Sequence, residues 1–216
     1  MDREPAFVDF VGGWTSQISS REKARIKSPR PSNALTSLFI SAETMGINIE
    51  IKAKAHEPDR LRQVLANLCQ STCEVIFQED VFFHTPKGRL KLRILARDRA
   101  ELIYYERDNI AAPKQSTYLI VPSGDPTSLK ILLSSALGVR GVVKKQRLLY
   151  RIGNTRVHLD DVDGLGFFVE LEVVLNEGQA SEDGKFVAEE IMKQLGICET
   201  DWVAEAYIDL LERRTK

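Results

Sequence analysis

The feature of this chain that most limits its folding is the alternation of charge and hydrocarbon within short stretches. In INIEIKAK, residues 47–54, Ile47, Ile49, Ile51 and Ala53 alternate with Asn48, Glu50, Lys52 and Lys54. A period of two belongs to β-strands, whose side chains point to opposite faces in turn. The pattern returns downstream. Arg89, Lys91 and Arg93 share one face opposite Leu90, Leu92 and Ile94. Lys145 and Arg147 share another, as do Arg156, His158 and Asp160. Glu170 and Glu172 stand opposite Val169, Leu171 and Val173.

Each strand taken singly fits the solvent face of a half-covered antiparallel sheet. Taken together, the strands segregate by sign. Cations concentrate on two of them, carboxylates on the last, and the first carries both. Solvent faces ordinarily mix signs. The competing arrangement is a sheet that closes with these faces inward. Buried charges need partners, so such a lumen asks for a polyanion. A hard divalent ion such as Mg²⁺, bound by oxygens, would link the carboxylates to it.

The connections permit closure without requiring it. HEPDRLRQVLANLCQ predicts a helix with Leu61, Val64, Leu65 and Leu68 on one face. Strands are expected in CEVIFQEDVFFHT, GRLKLRILAR, ELIYYERD and STYLIVPS, with turns at PKG and ARDRAE and a loop at NIAAPK. DPTSLKILLSSALG reads as a helix, with Asp125 as N-cap, Pro126 in the first turn and Gly138 past the end. VVKKQRLLYRI, RVHLDDVDGLG and FFVELEVVLNE follow as strands, then helices in EDGKFVAEEIMKQLG and ETDWVAEAYIDLLERR. Eight strands joined mostly by hairpin turns predict an α+β fold. Its antiparallel sheet is large enough to curl into a barrel or tunnel.

Other features narrow the function. The net charge of -1 gives no bulk attraction to nucleic acid or anionic membrane. Cys69, Cys73 and Cys198 form no CxxC pair, which suggests reduced thiols and no zinc site. No apolar run reaches the roughly 20 residues of a membrane span. The opening MDREPAFVDF carries acids and no long apolar core, so no secretory or transit segment is expected. A cytoplasmic location follows, and a homodimer stays open as an assembly state. Residues 1–45 hold a basic patch, REKARIKSPRPSN, and are expected to be a flexible extension. The domain is placed over 46–212. No P-loop or dinucleotide fingerprint is present in the sequence. His84 and His158 are lone histidines, and His158 shares a face with Asp160 as either a ligand, a general base or a core residue. Phe82, Phe83, Tyr104 and Tyr105 are expected to pack rather than stack on bases.

These residues resemble a known family. NIEIKAK is similar to the ExExK signature strand of the CYTH superfamily, the triphosphate tunnel metalloenzymes, which include class IV adenylyl cyclases and thiamine triphosphatases. GRLKLR, VVKKQR, HLDDVDGLG, FVELEVVL and AYIDLL resemble further family segments and occur in the family's order. The resemblance implies an eight-stranded antiparallel tunnel that binds a triphosphate with Mg²⁺ or Mn²⁺. It implies Glu50, Asp160, Glu170 and Glu172 as metal ligands. It implies Lys52, Arg89, Lys91, Arg93, Lys145 and Arg147 as phosphate-binding residues, with Glu50, Lys52 and Glu172 catalytic. The expected function is a divalent-metal-dependent triphosphatase. A class IV-type cyclase making cyclic AMP and pyrophosphate from ATP is the alternative, followed by a non-catalytic polyphosphate-binding module. Two positions depart from the family pattern: Asn48 replaces the first Glu of ExExK, and Glu106 stands where many members carry a basic residue.

Overall fold

The computed structural model describes residues 46–69 and 72–215; the extension expected over 1–45 lies outside the described residues. The alternating stretches form strands β1 (Gly46–Lys54), β2 (Glu74–Phe83), β3 (Arg89–Ala96), β4 (Arg99–Arg107), β5 (Lys114–Ser123), β6 (Val139–Ile152), β7 (Thr155–Val162) and β8 (Gly166–Val174). The helices are α1 (Pro58–Leu68), α2 (Pro126–Leu137), α3 (Ser181–Leu195) and α4 (Tyr207–Arg214). The fold is α+β.

All eight strands join one closed antiparallel barrel in the order β1-β5-β4-β3-β2-β6-β7-β8. Hairpins set the β2–β3, β3–β4, β4–β5, β6–β7 and β7–β8 pairs. The long-range seams are β2–β6, β1–β5 and β1–β8. β1 therefore closes the barrel, and its register brings Glu50 opposite Glu172 and Lys52 opposite Glu170.

The apolar core lies outside the barrel wall. Ile49, Ile51, Val157, Leu159, Val169, Leu171 and Val173 point outward and are buried beneath Leu61 and Leu65 of α1 and Ala188, Ile191, Met192 and Leu195 of α3. Each such Leu, Ile or Val contributes about 1.5–3 kcal/mol by leaving water. α2 seals a second patch, with Leu129 and Leu133 against Val81, Phe83 and Leu92. α2 also uses the end signals read from its sequence: the Asp125 side chain accepts from the Ser128 amide at 3.0 Å, and Gly138 follows at φ 72°. Once the helices take the apolar faces, the alternate, charged faces must point into the lumen.

Two elements differ from expectation. Leu68 is the exposed member of the α1 face, at 37%. The helix expected over ETDWVAEAYIDLLERR is interrupted. A 3₁₀ turn covers Glu199–Asp201, Trp202 bridges to Ala53, and the Val203 amide donates to the Lys52 carbonyl at 2.8 Å. Backbone bonded to the end of β1 cannot also continue a helix, so α4 starts afresh at Tyr207.

Gly184 sits inside α3, where glycine ordinarily costs about 1 kcal/mol relative to alanine. A Cβ there would lie 2.6 Å from Ile49 Cγ1 and 2.7 Å from Leu175 Cδ2. The missing side chain is what lets α3 seat on β1. Gly184→Leu is therefore expected to destabilise by about 1–3 kcal/mol through overpacking. Glu189→Ala on the exposed side of α3 should stay within about 0.5 kcal/mol. Urea unfolding of both variants checks this.

Candidate functional site

The lumen is a cavity of about 460 Å³. Nine Lys and Arg line it against six Asp and Glu, so a ligand entering from solution meets a net positive field. Three clusters organise these charges.

The first is the cation wall on β2, β3 and β6. β3 sends Lys91 and Arg93 inward, and β2 sends Asp80 between them. Lys91 Nζ donates to Asp80 at 2.7 Å, and Arg93 donates through Nε at 3.0 Å and Nη2 at 3.2 Å. Burial raises the Asp80 carboxyl, but Arg93 and Lys91 overcome it and leave the group far below the usual carboxylate range. Burial, together with Arg93, brings the Lys91 ammonium down to about 8, against the opposing pull of Asp80.

The second cluster centres on Asp160, which is fully buried. It accepts from Arg147 Nε and Nη2, both at 2.7 Å, from Lys145 at 2.9 Å and from the Tyr207 hydroxyl at 3.0 Å. Tyr207 comes from α4, and its ring also lies 4.1 Å from Lys52 Nζ and 5.0 Å from Lys145 Nζ. Asp160 thus orients two lumen cations. Arg147 Nη2 reaches on to Glu170 at 2.8 Å.

The third cluster is carboxylate-rich and lies on β1, β7 and β8. Glu170 contacts Arg147 and, at 3.5 Å, Lys52. Glu172 is gripped by Arg156 at 2.7–2.8 Å. Glu50 pairs with Arg107 at 2.8 Å. Burial raises Glu172, but His158 and Arg156 outweigh it and hold the carboxyl at about 2. Glu170 is likewise raised by burial and carried well below its usual value by Lys52 and its other partners. Glu50 goes the other way: burial pushes it up, Arg107 only partly opposes this, and Glu170 adds to it. Burial and Arg147 keep His158 below its usual value, favouring the neutral imidazole. His158, Glu170 and Glu172 each bring one ligand atom within 4.8 Å of the others.

Of the residues singled out in the sequence, Glu50, Lys52, Lys91, Arg93, Lys145, Arg147, Glu170 and Glu172 all line this one cavity. Asp160 does not line it; with every bond directed to Lys145, Arg147 and Tyr207, it stands behind the cations rather than beside the carboxylates. Arg89 is also set apart. It donates to Asp209 of α4 at 2.7 Å and to Asn109 at 3.0 Å, and lines a smaller pocket of about 180 Å³ with Arg140. Lys54 ends β1 by donating to the Leu165 carbonyl at 2.6 Å. Glu106 points outward, to Lys87 at 2.8 Å and to the Tyr104 hydroxyl at 2.6 Å. The next residue, Arg107, carries the lumen charge at that level, so the departure at Glu106 leaves the lumen unaffected. Asn48 does face the lumen, and its Oδ1 is buried without a hydrogen-bond partner among the described residues.

Sequence reasoning missed Asp80, Arg107, Lys114 and Tyr207. Parity puts Asp80 on the face of Gln78 and Phe82 and Arg107 on the face of Tyr105, but which face of those two strands turns inward is seen only in the barrel. Lys114 is buried opposite Glu50 on β5 and donates to the Ile110 carbonyl at 2.8 Å. Nothing in the local sequence announces Tyr207, which reaches the lumen only because α4 docks there. Among the packing aromatics, Phe83 joins the outer core, whereas Phe82 and Tyr105 line the cavity.

Comparison with known proteins places this architecture. The chain is 27% identical over 174 residues to a Methanocaldococcus jannaschii protein named provisionally as an adenylate cyclase, covering 76% of this chain and 98% of that one. A Pyrococcus horikoshii protein of solved structure superposes with a TM-score of 0.67 at 25% identity, covering 76% of this chain and 98% of that one. A Hippeastrum protein, provisionally named an adenylyl cyclase and described as having a dominant triphosphatase activity, superposes with a TM-score of 0.56 at 17% identity, over 79% and 96% of the two chains. The sequence pattern of the CYTH domain matches residues 46–207, from the first residue of β1 to the lumen tyrosine Tyr207, and the chain belongs to the CYTH domain family.

Proposed function

We propose that this protein binds a triphosphate in the lumen and hydrolyses it with the help of a divalent metal ion. The observation that carries the reading is the convergence, inside one closed barrel, of the Lys91–Arg93 and Lys145–Arg147 pairs with the Glu50, Glu170 and Glu172 carboxylates. A chain of phosphates needs several positive groups at fixed spacing, and arginine adds two-point recognition of phosphate oxygens. Asp80 and Asp160 hold these cations in place before any ligand arrives. Preorganised charge of this kind stabilises a transition state without reorganisation at the moment of reaction.

The carboxylate side fits a divalent ion. His158, Glu170 and Glu172 converge, and the buried Nδ1 of His158 has no hydrogen-bond partner among the described residues. Mg²⁺ or Mn²⁺ bound there would offset charge on phosphate oxygens. Lys52, between Glu170 and the Tyr207 ring, would move its ammonium onto a phosphate oxygen. Glu50, with its carboxyl pushed up by burial, is suited to take a proton from the attacking water.

Charge removal should therefore damage turnover more than folding. Glu172→Ala and Lys91→Ala are each expected to lower phosphate release at least about a hundredfold while circular dichroism stays that of the wild type. Near-normal release in either variant overturns the assignment. The substrate panel is inorganic triphosphate, ATP, GTP and thiamine triphosphate. Cyclisation of ATP is the second reading, favoured by the name of the M. jannaschii relative. Orthophosphate as product supports hydrolysis, and cyclic AMP with pyrophosphate supports the cyclase.

A pH dependence follows from Lys91. Below about 8 it is a cation that binds phosphate; above that value it is neutral. Triphosphate affinity should fall as pH rises from 7 to 9. In Lys91→Arg, which stays charged throughout this range, the decline should be delayed. Calorimetric titration at three pH values tests both statements.

A further inference from the structure

We propose that His158 is a direct nitrogen ligand to a first-row transition-metal ion, completing a His158–Glu170–Glu172 set that selects Mn²⁺ and related ions over Mg²⁺. This inference rests on the metal-assisted reading of the lumen above and identifies the ion and its ligand atoms.

The register creates the set. β7 and β8 pair His158 directly with Glu170, and Arg156 directly with Glu172, so all four face the lumen on adjacent rungs. His158 is only 2% exposed, and its Nδ1 is buried with no hydrogen-bond partner among the described residues. An unsatisfied buried polar atom costs about 1–3 kcal/mol. The nearest anion, Glu170 Oε2, is 3.8 Å away, too far for a hydrogen bond. The gap is the informative quantity. First-row metals hold nitrogen and oxygen ligands at roughly 2.0–2.2 Å. Ligand atoms 3.8 Å apart, within a set whose members all lie within 4.8 Å, leave the space of one such ion between them.

The neighbouring contacts allow it. Both bonds from Arg156 go to Glu172 Oε2, so Oε1 can turn to another partner. Glu170 binds Arg147 closely at 2.8 Å but Lys52 only at 3.5 Å. Arg147 donates to the same Oε2 that faces His158, which leaves that oxygen a further lone pair, while Lys52 stands against Oε1. The donor types then decide the ion. Mg²⁺ is hard and takes oxygen, whereas imidazole suits the borderline first-row ions. Mn²⁺ accepts both donor types and is the probe.

The test uses the metal-stripped full chain. Pulsed electron paramagnetic resonance of the Mn²⁺ complex should show coupling to a directly bound ¹⁴N nucleus. In competition calorimetry Mn²⁺ should bind at least about tenfold more tightly than Mg²⁺. Loss of even an outer partner of a metal ligand costs about 10–100-fold in affinity. His158→Gln should therefore abolish the ¹⁴N coupling and weaken Mn²⁺ binding at least about tenfold, with a smaller effect on Mg²⁺. A wild-type complex without ¹⁴N coupling overturns the proposal, and this reading needs no variant. An unchanged Mn²⁺ to Mg²⁺ ratio in a folded His158→Gln also overturns it. Triphosphate turnover that persists alongside either negative result would leave the functional reading intact. Nitrogen coupling without any triphosphate binding or turnover would overturn the functional reading and leave the metal site standing.

Discussion

Pairing of β1 with β8 is the constraint on which the site depends. It closes the barrel, and it sets Glu50 against Glu172 and Lys52 against Glu170. Like charges directly opposite one another destabilise a sheet. The seam tolerates them because Arg107 and Arg156 approach from β4 and β7, strands that β1 does not follow in sequence. A slip of one residue would turn every charge outward and every aliphatic side chain into the lumen. The aliphatic side is fixed beneath α1 and α3, so the slip would expose most of the core. The hydrophobic packing outside the barrel thereby specifies the electrostatics inside it.

The lumen pairs its charges without cancelling them. Asp80 and Asp160 are held far below the usual carboxylate range by cations that they orient in return. These are scaffolding acids. Glu50, Glu170 and Glu172 differ in kind, because they lie together and each is tied to an arginine on a different strand. An excess of cations on one wall and clustered carboxylates on the other is a poor arrangement for stability alone, since buried ion pairs seldom repay their desolvation. It is a good one for holding an anion next to a metal ion.

Much of this was legible because a strand has period two. Parity in INIEIKAK, RLKLR, VVKKQR and FVELEV was enough to put Glu50, Lys52, Lys91, Arg93, Lys145, Arg147, Glu170 and Glu172 on common faces. The same rule included Asp160 and Arg89, which share those faces but sit at levels where Tyr207 and Asp209 of α4 meet them. It could not rank Glu106 against Arg107, since both are charged and only the direction of the β4 pleat separates inside from outside. His158 stayed ambiguous for a related reason: a lone histidine shows its chemistry only through the groups across the ladder.

The sequence by itself determined which side chains share a face, where α2 begins and ends, and that the sheet had enough strands to close. These are local properties, carried by backbone period and capping chemistry. The tertiary structure decided that the charged faces turn inward, which acids orient cations and which line the cavity, and that α4 brings Tyr207 into the lumen. Those outcomes depend on strand neighbours far apart in the chain, and on helices covering the aliphatic face so that water does not.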